Sequence, residues 1–242
     1  MTLNDGNLTI IKIGFYSSIL LAAITFITFG FALTAIPVSG AFCPGDCIEY
    51  PYLDTLSQFP KDYLWMFLAT ILILTYLIFI ISIHFHAPEK LKIYGHISLA
   101  FALISSMILL VCYFIQFSVI PASLLNGETE GITLLTQYNP HGVFIALEEL
   151  GYLMMSFSFL FLAPVFAAKN RLEKAIRWIF IIAFVLTMIS FAIVTVKHGI
   201  VRKDRFEVIV ISINWLVLLT NGVLISIVFK KASDKTSKTA YK

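Results

Sequence analysis

Two adjacent carboxylates, Glu148 and Glu149, stand inside a long apolar run, and they are the side chains of this sequence best placed to do chemistry. An ionised carboxylate facing hydrocarbon costs ~2.5–3.5 kcal/mol at mid-helix. Each must therefore face protein or water, or carry a proton. Two close carboxylates repel when both are charged, so one keeps a proton that can be shared or passed on. A proton-coupled site needs that property. Tyr152 follows Glu148 by four residues and Glu149 by three, so on a helix it reaches either. His141 lies seven before Glu148 and Ser156 seven after Glu149. Gly151 leaves room for another helix to come close. The structural use of such carboxylates is equally concrete: bonded to Tyr or Gln of a neighbouring helix, they lock a bundle.

Other polar groups fall at helical spacing on other apolar runs. Tyr113 and Gln116, with Cys112, share one face, at the same depth as Glu148. Asn214 and Asn221 are seven apart on one stripe. Taken singly, each suits helix–helix hydrogen bonding. His84, His86 and His96 gather around a short hairpin, where an His-x-His pair points to different helix faces and suits an interface better than a metal. His141 and His198, with Glu148, Glu149 and Asp62 at similar depth, have the residue types of a metal hydrolase but no recognised spacing. No metal and no cofactor is assigned. Cys43 and Cys47 flank Pro44 and Gly45, a turn that permits a disulfide staple. Phosphate-binding glycine loops, nucleophile elbows and H-E-x-x-H are absent from the sequence.

The elements that position these groups follow from composition. The chain has 242 residues, 59% hydrophobic and 13% charged. A soluble domain of that size cannot hide so much apolar surface. Runs of about 20 residues without Lys or Arg mark six spans: 13–38, 63–83, 93–120, 142–168, 175–196 and 208–229. Continuous apolar runs, without alternation, satisfy their backbone in lipid as helices. The first run is too long for a signal-peptide core and lacks a basic leader, so it reads as a retained span. Asn139 before Pro140 has the form of a helix cap, placing the start of the fourth span there. The fold class is an all-α, polytopic six-helix bundle, one membrane domain over residues 1–230 with a basic, disordered tail at 231–242. The net charge of +3 and its placement in loops and tail exclude a nucleic-acid partner.

Loop charge sets the orientation. With the N-terminus cytoplasmic, the inner side holds twelve of the 17 Lys and Arg, including Lys90, Lys92, Arg171, Lys174 and the tail lysines; the outer side holds Lys61, Lys197, Arg202, Lys203 and Arg205. Both termini are therefore expected inside. The outer loops also carry Asp46, Glu49, Asp54, Glu128, Glu130, Asp204 and Glu207. The tail suits anionic lipid headgroups.

The stretch Leu124 to Pro164, with Gly127-Glu-Thr-Glu-Gly131 and Gln137-Tyr-Asn-Pro-His141, resembles a segment of uncharacterised multi-span membrane proteins of prokaryotes. The resemblance implies a bacterial or archaeal plasma membrane and brings no activity. Three functions remain open. The first is a small proton- or cation-coupled transporter with an outward-facing pocket of Glu148, Glu149, Tyr152, Tyr113, Gln116 and His141. The second is a structural, accessory or sensory subunit, as a homo-oligomer or with a partner. The third is an intramembrane enzyme acting on a lipid. The orientation has a direct check. In a background without native cysteines, a cysteine at Thr129 is expected to react with impermeant maleimide in intact cells, and one at Lys235 only after permeabilisation. The reverse pattern inverts the topology.

Overall fold

A computed structural model describes residues 3–34, 36–166 and 170–240, with the side chains of 3–5 and 237–240 left aside. It is 84% helix, with no strand among the described residues. Six helices are long and apolar enough to cross a membrane. They are α1 (Leu3–Thr34), α2 (Leu64–His86), α3 (Lys92–Ser118), α6 (Val143–Leu162), α7 (Arg171–His198) and α8 (Arg205–Ala240). Two short helices, α4 (Ile120–Leu125) and α5 (Ile132–Leu135), lie in the connection before α6. Large apolar side chains such as Leu20, Phe26, Ile78, Met107 and Ile182 stay exposed around the bundle, as a lipid-facing surface requires.

The helix ends have local causes. Pro37, which lacks an amide hydrogen, follows the end of α1. Pro121 sits in the first turn of α4, where a missing N–H costs nothing. Asn170 caps α7: its Oδ1 accepts from the Glu173 amide at 3.0 Å, and its Nδ2 donates to the Glu173 carboxylate at 3.0 Å. Asn139 does not cap α6. Its Oδ1 accepts from the His141 amide at 2.9 Å, closing a local turn, and Gly142 takes the cap position. The residues assigned to a disordered tail continue α8 as far as Ala240. Lys230, Lys231, Ala232 and Lys235 are good helix formers, and helix already built upstream removes the cost of nucleation. The last residues of the fourth span, 167–168, with Lys169 after them, and of the tail, 241–242, lie outside the described residues.

Neighbours in the chain pack as neighbours in space. The packed pairs run α8–α1–α2–α3–α6–α7 and back to α8, and α6 also touches α8 across the middle. The helices are pulled together where side chains vanish. Gly151 of α6 receives Leu109 of α3. A Cβ on Gly222 of α8 would lie 3.1 Å from both the Ser18 carbonyl oxygen and the Ala22 Cβ of α1, so the α1–α8 seam needs glycine there.

One end of the bundle holds the two long loops. Gln116 ties the second loop down, donating from Nε2 to the Leu135 carbonyl at 2.7 Å and accepting from the Gln137 amide at 2.9 Å. Thr133 Oγ1 donates to the Pro51 carbonyl, joining the two loops at 2.9 Å. The Ala41 amide donates to Asp204 Oδ1 at 2.8 Å, joining the first loop to the start of α8. Gly40 beside it has φ of 82° and presses directly on the Asp204 carboxylate, a position closed to a side chain. Cys43 and Cys47 of this loop lie at disulfide distance. We call this the cysteine-loop end.

The packing yields a paired test. Gly222→Val is expected to lower the midpoint of thermal unfolding in detergent, at a cost of about 1–3 kcal/mol from overpacking. Gly30→Val, where a Cβ meets nothing within 4 Å, is expected to leave it unchanged.

Candidate functional site

Glu148 and Glu149 are neighbours in sequence and strangers in space. Successive residues on a helix point about 100° apart. Glu149 turns to the rim of the cysteine-loop end and forms an ion pair with Arg202. The guanidinium also lies 5.3 Å from the centre of the Phe191 ring and 6.0 Å from that of Phe206, so its charge is held over aromatic faces. His141 is exposed nearby and lines, with Glu149, Arg202 and Lys203, a surface cavity of about 170 Å³.

Glu148 points the other way, into the bundle, and is 0% exposed. A directed chain of hydrogen bonds ends on it. Trp215 Nε1 donates to the Tyr152 hydroxyl at 3.0 Å. The two phenols are 2.9 Å apart, and the Tyr113 hydroxyl donates to Glu148 Oε1 at 2.6 Å. Since Tyr113 spends its hydrogen on the carboxylate, Tyr152 must donate to Tyr113, and every hydroxyl is used once as donor and once as acceptor. Hydrogen bonds in series polarise one another and favour negative charge at the accepting end. The relay crosses three helices, from α8 through α6 and α3 back to α6.

The other oxygen of Glu148, Oε2, accepts from no protein donor. The Glu148 carboxyl also lies within hydrogen-bonding reach of the carboxyl group of Glu207. Two carboxylates alone cannot make such a bond, so the contact calls for a proton between them. Glu207 is 9% exposed, and neither glutamate takes part in an ion pair among the described residues. Glu207 lies in the first turn of α8 and was expected in the preceding loop. It precedes Asn214 by seven residues and Asn221 by fourteen, so one line of α8 carries a carboxylate and two carboxamides, all buried. Asn214 Nδ2 donates to Ser156 Oγ at 3.0 Å, and Ser156 lies 3.4 Å from Thr187 of α7. Among the described residues Asn221 Nδ2 reaches the Ile176 carbonyl at 3.5 Å, and its Oδ1 finds no partner.

Glu207 also lines two cavities at the cysteine-loop end. One, about 170 Å³, includes Asp62, Asp204, Gln137 and Tyr138. There the Tyr138 hydroxyl donates to Asp62 Oδ2 at 3.4 Å. Burial above all, then the nearby Tyr63 and Asp62, hold the Tyr138 phenol far above its ordinary pKa, so it remains a neutral donor. The other, about 330 Å³, is apolar and includes Phe29, Trp65 and Trp215.

The sequence-derived set therefore divides. Glu148, Tyr113 and Tyr152 come together. Glu149 and His141 belong to the rim, and Gln116 is a loop anchor. Cys112 is buried, its thiol 3.6 Å from the Phe144 carbonyl. His84 and His96 meet edge to face, 4.2 Å between ring centres, near the opposite end, with His86 turned to Phe229. No three His, Cys, Asp or Glu among the described residues converge to hold a metal. Two omissions stand out: Glu207, left in the loop before a sixth span drawn from Val208, and Trp215, an indole donor inside an apolar run.

The two glutamates should answer substitution differently. Glu148→Gln keeps an acceptor for Tyr113 and offers an N–H to Glu207, so its unfolding midpoint is expected to hold. Tyr113→Phe strips a buried carboxyl oxygen of its donor and is expected to cost ~1–3 kcal/mol. Glu149→Gln leaves Arg202 without its partner, and a double-mutant cycle with Arg202→Met is expected to show coupling of about 1 kcal/mol. The chain matches no family model, no curated protein and no solved structure, so the site stands on its own geometry.

Proposed function

We propose that this chain is an integral membrane protein that couples movement of a cation to a proton held by the Glu148–Glu207 carboxyl pair. The observation that carries the reading is that pair: two buried carboxyl groups in contact, free of any ion pair among the described residues, one fed by a phenol relay and the other opening on cavities. Two carboxylates this close do not ionise together at moderate cost, so the resting pair holds one proton and one negative charge. A cation arriving at Glu207 makes the doubly ionised pair affordable, and the proton leaves. Asp62 and Asp204 in the adjoining cavity raise the local concentration of cations. When the cation departs, the proton returns. The Tyr113 hydroxyl stays a donor throughout and supports the charge on Glu148.

Support for passage across the bundle comes from α8. From Glu207 to Asn221 the polar line covers about 21 Å of helix, against a hydrocarbon thickness of about 30 Å. In this reading both termini are cytoplasmic and the cysteine-loop end faces outward, where Cys43 and Cys47 form a disulfide. The exposed apolar belt meets the bilayer, and Lys230, Lys231 and Lys235 meet anionic headgroups. The plasma membrane of a bacterium or archaeon is the proposed location.

A structural or accessory role is favoured by a different observation: each hydroxyl and indole N–H of the relay finds its partner inside the bundle. Flux separates the two. In sealed proteoliposomes with an internal pH dye, an imposed gradient of a monovalent cation is expected to drive proton movement. Glu148→Gln and Glu207→Gln, with unfolding midpoints like the parent's, should reduce it by at least about tenfold, the loss of roughly 1.4 kcal/mol. Glu149→Gln should reduce it little. Flux unaffected by either glutamine, or absent from well-folded parent protein for every monovalent cation tried, would end the transport reading.

A further inference from the structure

The apolar cavity beside Glu207 is more selective than a generic cation site. It lies where the cysteine-loop end of α1 meets α8, and its volume of about 330 Å³ is that of a small ligand site. Phe29 and Leu33 of α1, Trp65 of α2, and Ile211 and Trp215 of α8 line it, with Glu207 at one edge. Phe29 and Trp215 meet edge to face, 5.7 Å between ring centres, and Trp65 and Trp215 at 6.5 Å. Aromatic rings packed edge to face present π surfaces in more than one direction. Glu207 is 9% exposed, and among the described residues its carboxyl hydrogen-bonds with the Glu148 carboxyl and with no cationic side chain.

We propose that this cavity binds a hydrophobic organic monocation, a quaternary or protonated amine class of ligand, with its charge at Glu207 and its apolar body among Phe29, Trp65 and Trp215. Three features select that chemistry. The resting carboxyl pair, with one proton, carries a single negative charge, which draws a monocation to Glu207 before the proton leaves. Hard inorganic cations require a shell of oxygens, and these walls are mostly carbon. Aromatic rings attract cations through their faces, and most strongly when the cation holds little water. An organic cation loses little hydration on entry and gains apolar burial.

The relay gives binding a readout inside the protein. It starts at Trp215 and ends at Glu148 against Glu207, and Trp215 and Glu207 both line this one cavity. A ligand that touches the Trp215 ring and the Glu207 carboxylate therefore acts on both ends of the same chain of hydrogen bonds. The inference rests on reading the carboxyl pair as an exchange site, and it is tested without a gradient, so failed binding and failed flux are separate results.

Tetraphenylphosphonium is a suitable probe, with protein carrying Trp178→Phe in nanodiscs of zwitterionic lipid. The two remaining tryptophans, Trp65 and Trp215, both line the cavity. Saturable quenching is expected. It should weaken by about tenfold or more in Glu207→Gln, equivalent to ~1.4 kcal/mol, and weaken as protons compete at lower pH. Ala32→Phe, which fills the cavity with both carboxyls intact, should weaken it similarly and decides the matter if Glu207→Gln fails to fold. Tetraphenylborate, of similar shape and opposite charge, should not bind saturably. Equal binding of the borate, equal binding in both variants, or no saturable quenching beyond empty nanodiscs would overturn the proposal. The first of these would mark the cavity as a lipid-chain groove.

Discussion

A carboxyl group with no exposure and no cationic partner is the constraint around which this bundle is arranged. Glu148 occupies the contact region of α3, α6 and α8, and its neutralisation must come from hydrogen bonds and a proton. That requirement explains why two phenols and an indole stand in series, since each spends its hydrogen toward the carboxylate. It also explains the closeness of α3 to α6. With any side chain at Gly151, Leu109 would be displaced, and Tyr113, one turn along α3, would be carried away from Glu148. Packing and electrostatics are here one problem, solved by a glycine and a tyrosine on facing helices.

The adjacent Glu149 shows what the same side chain does under the opposite condition. A step of one residue along α6 takes it to the rim, where Arg202 can reach from the connection between α7 and α8. Its charge is matched, and the guanidinium is fixed over two phenyl rings. The loops of this end are then bound to one another through Gln116, Thr133 and Asp204. The rim is fastened by matched charges and amide bonds, while the buried pair beneath it is left electrostatically unsettled. That contrast separates a charge-matched rim from an unmatched pair beneath it.

Composition and run length made the six helices legible, because apolar surface on this scale has few other solutions. The close partnership of Glu148, Tyr113 and Tyr152 was also legible, from depth and helical spacing. Direction was not. Gln116 lies at the right depth, but its amide is drawn to unpaired backbone in the second loop. His141 is near in sequence yet sits on a turn closed by Asn139, outside the helix. Glu207 escaped because the sixth span was drawn from Val208, which left it among the charged residues of the preceding loop. The signal was available in the spacing of Glu207, Asn214 and Asn221, since polar residues that recur every seven positions share a helix face. Where α6 and α8 would touch could not be read from either helix alone, and that contact is what converts two distant glutamates into a pair.

The matched and unmatched charges of α6 have a consequence for how the chain is made. Among the six candidate spans that of α6 has the lowest mean hydropathy, 1.5, and it emerges from the ribosome well before α8. Until α8 arrives, Glu148 has no Glu207 against it and Glu149 no Arg202. If α6 enters lipid as it is made, it does so with two carboxyl groups that must be protonated or sheltered beside α3, which is already synthesised and carries Tyr113. On this order of synthesis α8 does more than complete the ring: its arrival is the step that gives both carboxyl groups of α6 their partners.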